Sequence, residues 1–287
     1  MKILLTGCSG QVGYELERSL QGLGEVVAVD RARMDLSDLD QVREVIRAVQ
    51  PGLIVNPAAY TAVDKAESEA ALAYRINAEA PGLMAEEAAR LGAALVHYST
   101  DYVFPGDDPA ARVEGDATGP LNVYGASKLA GEQAIAASGA AHLIFRTSWV
   151  YGMRGKNFLL TMLRLARERD ELRVVADQHG APTWSRTIAD STAQVLAHAR
   201  AANFDPAWWR EHGGIYHLSS QGQTTWFEFT QAIVAQAGID CRLVPITTAD
   251  YPTPARRPRY SVLSSERLLQ RFVDLPHWQD ALRLCMA

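Results

Sequence analysis

Cysteine is scarce in this sequence and an excess of basic residues is absent, and each fact limits what the protein can be. The 287 residues include three cysteines, Cys8, Cys241 and Cys285, which are too few and too scattered for a disulfide framework or a metal site. Lys and Arg number 28 against 33 Asp and Glu, and no basic run occurs. We therefore expect a reducing compartment and no nucleic-acid partner.

Long apolar segments are also absent. No stretch approaches the ~20 apolar residues that a membrane-spanning helix needs. The first apolar run stops at Gly7, too early for the apolar region of a signal peptide. We expect a cytoplasmic protein with no membrane partner.

The first half alternates short apolar runs with segments of helical periodicity. The runs are continuously apolar, which is typical of strands buried on both faces of a parallel sheet, and they cover 3–6, 26–29, 53–55, 94–98 and 143–145. The segments of helical spacing cover 12–20, 37–49, 67–91 and 124–137, with a break expected at Pro81-Gly82. This alternation predicts an α/β fold with a Rossmann-type, doubly wound parallel sheet.

The pattern changes after Trp149. Helices are expected over 157–169, 186–200 and 226–237, a strand over 216–218, and an irregular loop over 251–258, whereas the stretch 204–214 is rich in Trp, Gly and Pro. We therefore divide the chain into a nucleotide-binding domain, 1–150, and a smaller substrate-binding domain, 151–287. Some later elements are expected to return to the first domain.

Three glycines, Gly7, Gly10 and Gly13, form a G-x-x-G-x-x-G loop between the first predicted strand and the first helix. Glycines let the backbone approach a pyrophosphate closely, and the helix N-terminus supplies free N–H groups. A tight turn without a ligand is the alternative. The placement between a strand and an amphipathic helix favours a dinucleotide site.

Asp30 ends the second predicted strand, where an acid would bind the adenosine ribose and favour NAD. Arg31 and Arg33 follow it, and either suits a 2′-phosphate. The sequence thus leaves NADH and NADPH both open. Asp35 and Leu36 are placed to flank the adenine or merely to lead into the next helix.

Tyr124 and Lys128 are four residues apart at the start of a predicted helix, so their side chains share one face. A nearby ammonium lowers the pKa of a phenol from about 10, which suits acid–base catalysis. Thr100 follows a predicted strand, where its hydroxyl would reach the same place and align a carbonyl group. Small residues after the third strand, at 57–59, would let a cofactor lie against the backbone.

Together these features resemble the extended short-chain dehydrogenase/reductase superfamily. Further blocks resemble the dTDP-4-dehydrorhamnose reductase family, and they lie at 59–67, 99–104, 120–128, 146–151, 177–183 and 256–261. The last three lie outside the general superfamily pattern, so they are the more specific ones.

The resemblance implies that NADH or NADPH reduces the C4 ketone of a dTDP-linked 4-keto-6-deoxy sugar, dTDP-6-deoxy-L-lyxo-4-hexulose, to give dTDP-L-rhamnose. Tyr124 would give the proton, with Thr100 tuning it and Lys128 assisting. The implied substrate contacts are Val63, Thr100, Asp101, Tyr124, Trp149 and Arg257. The implied cofactor contacts are Gly7, Gly10, Gln11, Val12, Gly13, Asp30, Asp35, Leu36, Ala58, Ala59, Tyr60, Thr61, Tyr124 and Lys128. On charge alone, Arg256 and Arg257 suit a diphosphate or a solvated loop.

The sequence departs from the family at Pro57, where Ala is common, and at Trp184, where smaller residues also occur. Some members form dimers through a metal ion held by acidic residues, a group that would include Glu15. The short C-terminal tail argues against that arrangement, so we predict no metal and either a monomer or a homodimer.

Two alternatives remain: a non-catalytic subunit from the branch that regulates methionine adenosyltransferase, and a 4-epimerase with tightly held NAD⁺. The first would be expected to lose its catalytic side chains, and the blocks at 177–183 and 256–258 argue against the second.

Overall fold

The computed structural model describes residues 1–287. Its strands are β1 (Lys2–Leu5), β2 (Glu25–Ala28), β3 (Leu53–Asn56), β4 (Ala94–Thr100), β5 (Ala141–Thr147), β6 (Val150–Tyr151), β7 (Glu171–Val175), β8 (His179–Gly180), β9 (Thr183–Trp184), β10 (Gly214–His217), β11 (Thr224–Thr225) and β12 (Arg242–Ile246). Its α-helices are α1 (Gln11–Ser19), α2 (Leu39–Val49), α3 (Val63–Ala66), α4 (Ala70–Tyr74), α5 (Ala80–Leu91), α6 (Val123–Ala137), α7 (Phe158–Glu168), α8 (Ser185–Ala201), α9 (Pro206–His212), α10 (Trp226–Ala237), α11 (Glu266–Arg271) and α12 (Trp278–Cys285). None of the helices combines the length and the apolar composition needed to cross a bilayer.

Six parallel strands form the main sheet, in the order β2-β1-β3-β4-β5-β10. The order reverses between β1 and β3, and in such sheets ligands bind beyond the carboxyl ends of the strands at that point. The predicted Rossmann-type fold is therefore confirmed. Its sheet places the glycine loop after β1 beside the residues that follow β3.

Helices cover both faces of this sheet, as its continuously apolar strands require. On one face α1 packs against α8, and on the other α2 packs against α5, which in turn packs against α6. Helix α2 shows why these segments fold: Val42, Ile46 and Val49 form one buried stripe, and Asp38 caps its N-terminus by accepting from two backbone N–H groups. Full burial of each such apolar side chain contributes about 1.5–3 kcal/mol.

The break expected at Pro81-Gly82 is wrong. Both residues lie inside α5, and the irregularity comes earlier, as a π-helical turn at Arg75–Glu79. Pro81 occupies the first turn of α5, where a missing N–H costs least. Gly82 faces Ala134 on α6, and a Cβ there would lie 3.1 Å from the Ala134 Cβ, so the glycine allows close helix packing.

The second half builds a smaller lobe and also returns to the main sheet. Tyr151 packs with side chains of α7, α10 and α12 in a separate core, and β7 pairs with β12. Strand β10 instead pairs with β5, and α8 covers the face beside α1. The stretch at 204–214, rich in Trp, Gly and Pro, contains α9. The division at residue 150 stays a prediction.

Candidate active site

A cavity of about 1020 Å³ opens where the ends of β4 and β5 face the smaller lobe. Eight residues predicted from the sequence line it: Gln11, Thr61, Val63, Thr100, Asp101, Tyr124, Trp149 and Arg257. These residues come from six separate segments of the chain, so the fold brings together side chains that the sequence keeps apart.

Thr100 and Asp101 form the floor of the cavity at the end of β4. The Thr100 hydroxyl donates to Asp101 Oδ1 at 2.9 Å, and the Ser148 hydroxyl donates to Oδ2 at 3.2 Å. Burial raises the pKa of Asp101 to about 6, although hydrogen bonds from Ser261, Thr100 and Ser148 oppose the rise. Asp101 thus takes up a proton more readily than an ordinary surface carboxyl group.

Tyr124 lies in the first turn of α6. Asn122 caps this helix by accepting from the Gly125 N–H at 2.8 Å, which fixes the turn that carries the phenol. Loss of water raises the pKa of Tyr124 to about 12, opposed by the Thr100 hydroxyl and reinforced by Asp101. The expectation that Lys128 lowers the pKa of Tyr124 is wrong for this structure, because the dominant effect on that pKa is desolvation of the phenol. The phenol therefore carries its proton at neutral pH.

Lys128 lies one turn further along α6 and is 2 % exposed. Its Nζ lies 3.1 Å from Nε2 of His97, a buried histidine on β4 that the sequence analysis did not select. Burial lowers the pKa of Lys128 to about 7, although Glu132 opposes the change. Lys128 does not line the cavity wall itself but lies behind it.

The glycine loop fits a dinucleotide. Gly7 has a φ of 56°, and a Cβ there would lie 2.9 Å from the Ala58 Cβ, so β1 and the segment after β3 approach at a distance that only glycine permits. A Cβ on Gly13 would lie 2.1 Å from the Gly7 oxygen, which brings α1 tightly onto the loop. Gly10 caps α1 without a side-chain hydrogen bond, which leaves the first N–H groups of a nine-residue helix open to an anion.

The side chain of Asn77 fixes the segment after β3 through two hydrogen bonds to its backbone. This buried side chain accepts from the Tyr60 N–H at 2.8 Å and donates to the Tyr60 oxygen at 3.0 Å. Tyr60 in turn donates its hydroxyl hydrogen to Glu69. The segment therefore presents its backbone to the glycine loop in one conformation.

The residues after β2 differ in burial and in hydrogen bonding. Asp30 accepts from the N–H groups of Ala32 and Arg33, and Asp35 pairs with Arg31 at 3.0 Å. Leu36 is buried in the core beneath them. Arg33 is exposed beside Asp30, as a contact to a 2′-phosphate would require.

Trp149 forms one wall of the cavity in an unusual conformation. Its φ is 46°, a left-handed value that is rare for a bulky residue and often marks a functional site. Its ring stacks on Trp226 with centroids 3.5 Å apart and planes 7° apart, and a Cβ on Gly180 would lie 2.4 Å from it. The stacking on Trp226 and the close approach of Gly180 thus fix the position of the Trp149 ring.

Arg257 is paired within the protein. Its guanidinium makes two bonds to the Asp64 carboxylate, at 3.0 and 2.9 Å, and a third to the Thr253 hydroxyl. Arg256 is exposed, and its backbone oxygen accepts from Asn122 at 2.8 Å. Arg257 therefore anchors the segment 251–258 to α3 beside the cavity, and much of its charge is already neutralised by Asp64.

The cavity has further lining residues that sequence analysis missed. They were not selected because nothing in the sequence marks these side chains as facing the cavity, and they include Lys156, Asn157, Arg173, Gln178 and Trp226. Gln11 joins this wall to the first lobe, since it donates to the Val150 oxygen at 3.2 Å. No group of three or more His, Cys, Asp or Glu side chains lies together as a metal site would require, and the predicted absence of a metal stays a prediction.

Comparisons with known proteins cover the whole chain. The family model described as RmlD substrate binding domain matches residues 1–287. A dTDP-4-dehydrorhamnose reductase of Burkholderia thailandensis is 51 % identical, over 100 % of this chain and 98 % of the relative, and that of Escherichia coli K12 is 48 % identical, over 99 % and 96 %.

Solved structures agree with the sequence matches. A dTDP-4-dehydrorhamnose reductase from Bacillus anthracis, crystallised in complex with NADP, superimposes with a TM-score of 0.89 at 37 % identity, over 99 % of this chain and 98 % of that one. A UDP-glucose 4-epimerase from Thermus thermophilus shares the fold, with a TM-score of 0.82 at 22 % identity over 100 % and 98 % of the two chains. On these matches, and on the cavity that gathers the predicted residues, the chain belongs to the dTDP-4-dehydrorhamnose reductase family.

Proposed function

We propose that this chain uses NADPH or NADH to reduce the C4 ketone of dTDP-6-deoxy-L-lyxo-4-hexulose to the hydroxyl group of dTDP-L-rhamnose. The observation that carries this proposal is the meeting of Thr100 and Tyr124 in one cavity, on a chain that reductases of this name match along its whole length. The glycine loop lies at the sheet's switch point and fits the dinucleotide.

A bound nicotinamide would supply the hydride for this reduction. Tyr124 would give its proton to the C4 oxygen as charge develops there, and a pKa of about 12 keeps the phenol protonated until that moment. The Thr100 hydroxyl would align the same oxygen from the end of β4. In the ligand-free structure this hydroxyl donates its single hydrogen to the Asp101 carboxylate, so it would have to turn from Asp101 to the C4 oxygen when the sugar binds.

The chain would hold the dinucleotide by its backbone at one end and by buried side chains at the other. The open N–H groups at the start of α1 would face the pyrophosphate, and Asp30 the adenosine ribose. Lys128 would hold the nicotinamide ribose from behind the cavity. The segment at 58–61 would cover the dinucleotide from the β3 side.

The sugar nucleotide would lie across the cavity towards the smaller lobe. Val63 and Trp149 would offer apolar surface to the sugar nucleotide, and Lys156 and Arg173, which also line the cavity, would offer positive charge to its diphosphate. Arg257, already bonded to Asp64, would position the wall at 251–258 more than it would neutralise phosphate.

The test is NADPH or NADH consumption with the dTDP-4-keto sugar. Tyr124→Phe should keep cofactor binding but lower the rate by ~10²-fold or more, the usual value of a positioned general acid. Tyr74→Phe, the same change on the surface, is the matched control. No turnover with either cofactor would refute the reductase assignment, and a near-normal Tyr124→Phe rate would remove this residue from the mechanism. NAD⁺ retained through purification would point to an epimerase instead.

We further propose that the chain works in the cytoplasm as a monomer or a homodimer, with no membrane or nucleic-acid partner. Its three cysteines are all free, as a reducing compartment would leave them. We keep the division into a cofactor-binding part, 1–150, and a mainly substrate-binding part, 151–287. Light scattering on the eluting protein would measure the oligomeric state directly.

A further inference from the structure

A row of four buried polar side chains connects the main sheet to Lys128. The Thr6 Oγ1 lies 2.6 Å from Asn56 Oδ1, Asn56 Nδ2 lies 3.1 Å from His97 Nδ1, and His97 Nε2 lies 3.1 Å from Lys128 Nζ. None of the four is more than 2 % exposed. The row therefore exchanges hydrogen bonds within itself and not with bulk water.

The directions of the hydrogen bonds follow from the orientation of the Asn56 amide, here assigned with its oxygen towards Thr6. The Thr6 hydroxyl donates to the Asn56 oxygen, so the Asn56 nitrogen faces His97 and donates to Nδ1. A neutral imidazole has one N–H and one acceptor nitrogen, so its hydrogen lies on Nε2. That N–H points at Lys128 Nζ, and only a neutral amine has the lone pair to accept it.

We propose that His97, oriented by Asn56 and Thr6, is a positioning residue that holds Lys128 as a neutral amine in the ligand-free protein. Rotating the Asn56 amide by half a turn creates the second state. In that state Asn56 Oδ1 accepts from the Nδ1–H of His97. His97 Nε2, which then carries no hydrogen, accepts from a Lys128 ammonium. The Thr6 hydroxyl can donate or accept, so it serves both states.

The surrounding charges allow Lys128 to adopt either state. Burial lowers the pKa of Lys128 to about 7, and Glu132, which is itself paired with Arg146, opposes the change. Burial holds the pKa of His97 well below its usual range in both states, and Lys128 lowers it further when it is an ammonium, although the Asn56 backbone oxygen opposes this. Tyr124 is the nearest further titratable group along α6. His97 thus stays neutral while Lys128 changes charge, and the row transmits that change as a tautomer switch.

The neutral amine also suits a ligand. With its lone pair directed at His97, Lys128 keeps its N–H groups for the hydroxyl groups of a ribose. This consequence rests on the proposed reductase function, whereas the tautomer of His97 does not. The two can therefore be tested separately.

The direct test is ¹⁵N NMR of the ligand-free, full-length chain labelled at histidine, with His97→Gln used to assign the His97 signals. At about pH 9, well above the Lys128 pKa, we expect Nε2 protonated and Nδ1 free; towards about pH 6 the hydrogen should move to Nδ1 with no imidazolium formed. Asn56→Asp should lock the Nδ1–H tautomer at both pH values, because a carboxylate can only accept. An Nδ1–H tautomer in the wild type at high pH, an imidazolium, or an unchanged tautomer in Asn56→Asp would overturn the proposal.

The functional arm compares His97→Gln with His97→Leu, because a Gln amide can still donate to or accept from Lys128 and a Leu side chain cannot. We expect His97→Leu to lower kcat by about tenfold or more through a misplaced amine, with KM for the sugar nucleotide little changed and with His97→Gln restoring much of the loss. In Asn56→Asp the pH dependence of kcat/KM should move upward by about one unit or more. His217→Gln, the same change at a buried histidine outside the cavity, is the matched control. Equal losses in His97→Gln and His97→Leu, or a pH profile of Asn56→Asp that does not move, would indicate a merely structural role.

Discussion

Breaking the ion pair between Arg146 on β5 and Glu132 on α6 should destabilise the protein strongly. The two side chains are each 3 % exposed and form two bonds, Arg146 Nη2 to Glu132 Oε2 at 2.6 Å and Nε to Oε1 at 2.9 Å. Glu132→Ala leaves a buried guanidinium without a counter-charge, at a cost of about 3–5 kcal/mol. At about 2.1 cal/mol/K per residue, the unfolding entropy of this chain is about 0.6 kcal/mol/K, so its Tm should fall by about 5–8 °C.

Urea unfolding and thermal scans of paired variants measure this cost. Glu132→Leu combined with Arg146→Met should restore most of the stability, because no charge is then left alone. Glu168→Ala breaks an exposed pair with Arg164 and should cost no more than about 0.5 kcal/mol. If Glu132→Ala alone cost less than about 1.5 kcal/mol, the reasoning that burial makes this pair indispensable would be refuted.

Three further predictions concern the cavity wall, the cofactor and acid stability. Gly180→Ala should displace the Trp149 ring, raise KM for the sugar nucleotide and change the tryptophan fluorescence; an unchanged KM would remove Trp149 from the substrate wall. Arg33→Ala should weaken NADPH binding by about tenfold while leaving NADH binding nearly unchanged, as measured by cofactor fluorescence titration; equal losses would show that Arg33 does not meet the 2′-phosphate. Pairing with Arg47 lowers the pKa of Glu87, so its contribution to stability is complete above the unfolded value of about 4.5 and is lost as the pH falls below it. Glu87→Gln should therefore flatten the dependence of the urea midpoint on pH below about 4.5, and a dependence as steep as the wild type's would contradict this assignment.

The local sequence pattern was sufficient to predict most strands of the main sheet and several helices of both lobes. Helix α10 lies where the periodicity placed it, because Thr225 and Glu228 form a capping box that starts it and Gly238 ends it. The pair β7 and β12 was missed because Glu171, Arg173 and Arg242 interrupt the continuous apolar runs by which strands were predicted, and the two strands lie about 70 residues apart in the chain. Strands of two residues, such as β8, are formed by tertiary pairing and leave no periodic signal at all.

The site was predictable only in part, for similar reasons. Thr100 and Tyr124 were found because their types and positions carry a pattern. His97 was missed because it lies in an apolar strand, where a histidine looks like core, and its contact with Lys128 depends on how α6 packs on β4. The left-handed backbone of Trp149 had no signal either, since no glycine marks it.

The return of β10 to the main sheet has a consequence for synthesis on the ribosome. Strand β5 gains its outer neighbour, β10, only after residue 217 has emerged, and α8 arrives only shortly before. Until then β5 is a bare edge with unpaired backbone groups, and the core face beside α1 lies open to water. A nascent chain stalled near residue 150, or a fragment cut there, should thus bind chaperones or aggregate. The main sheet is therefore completed late, after most of the polypeptide has been made.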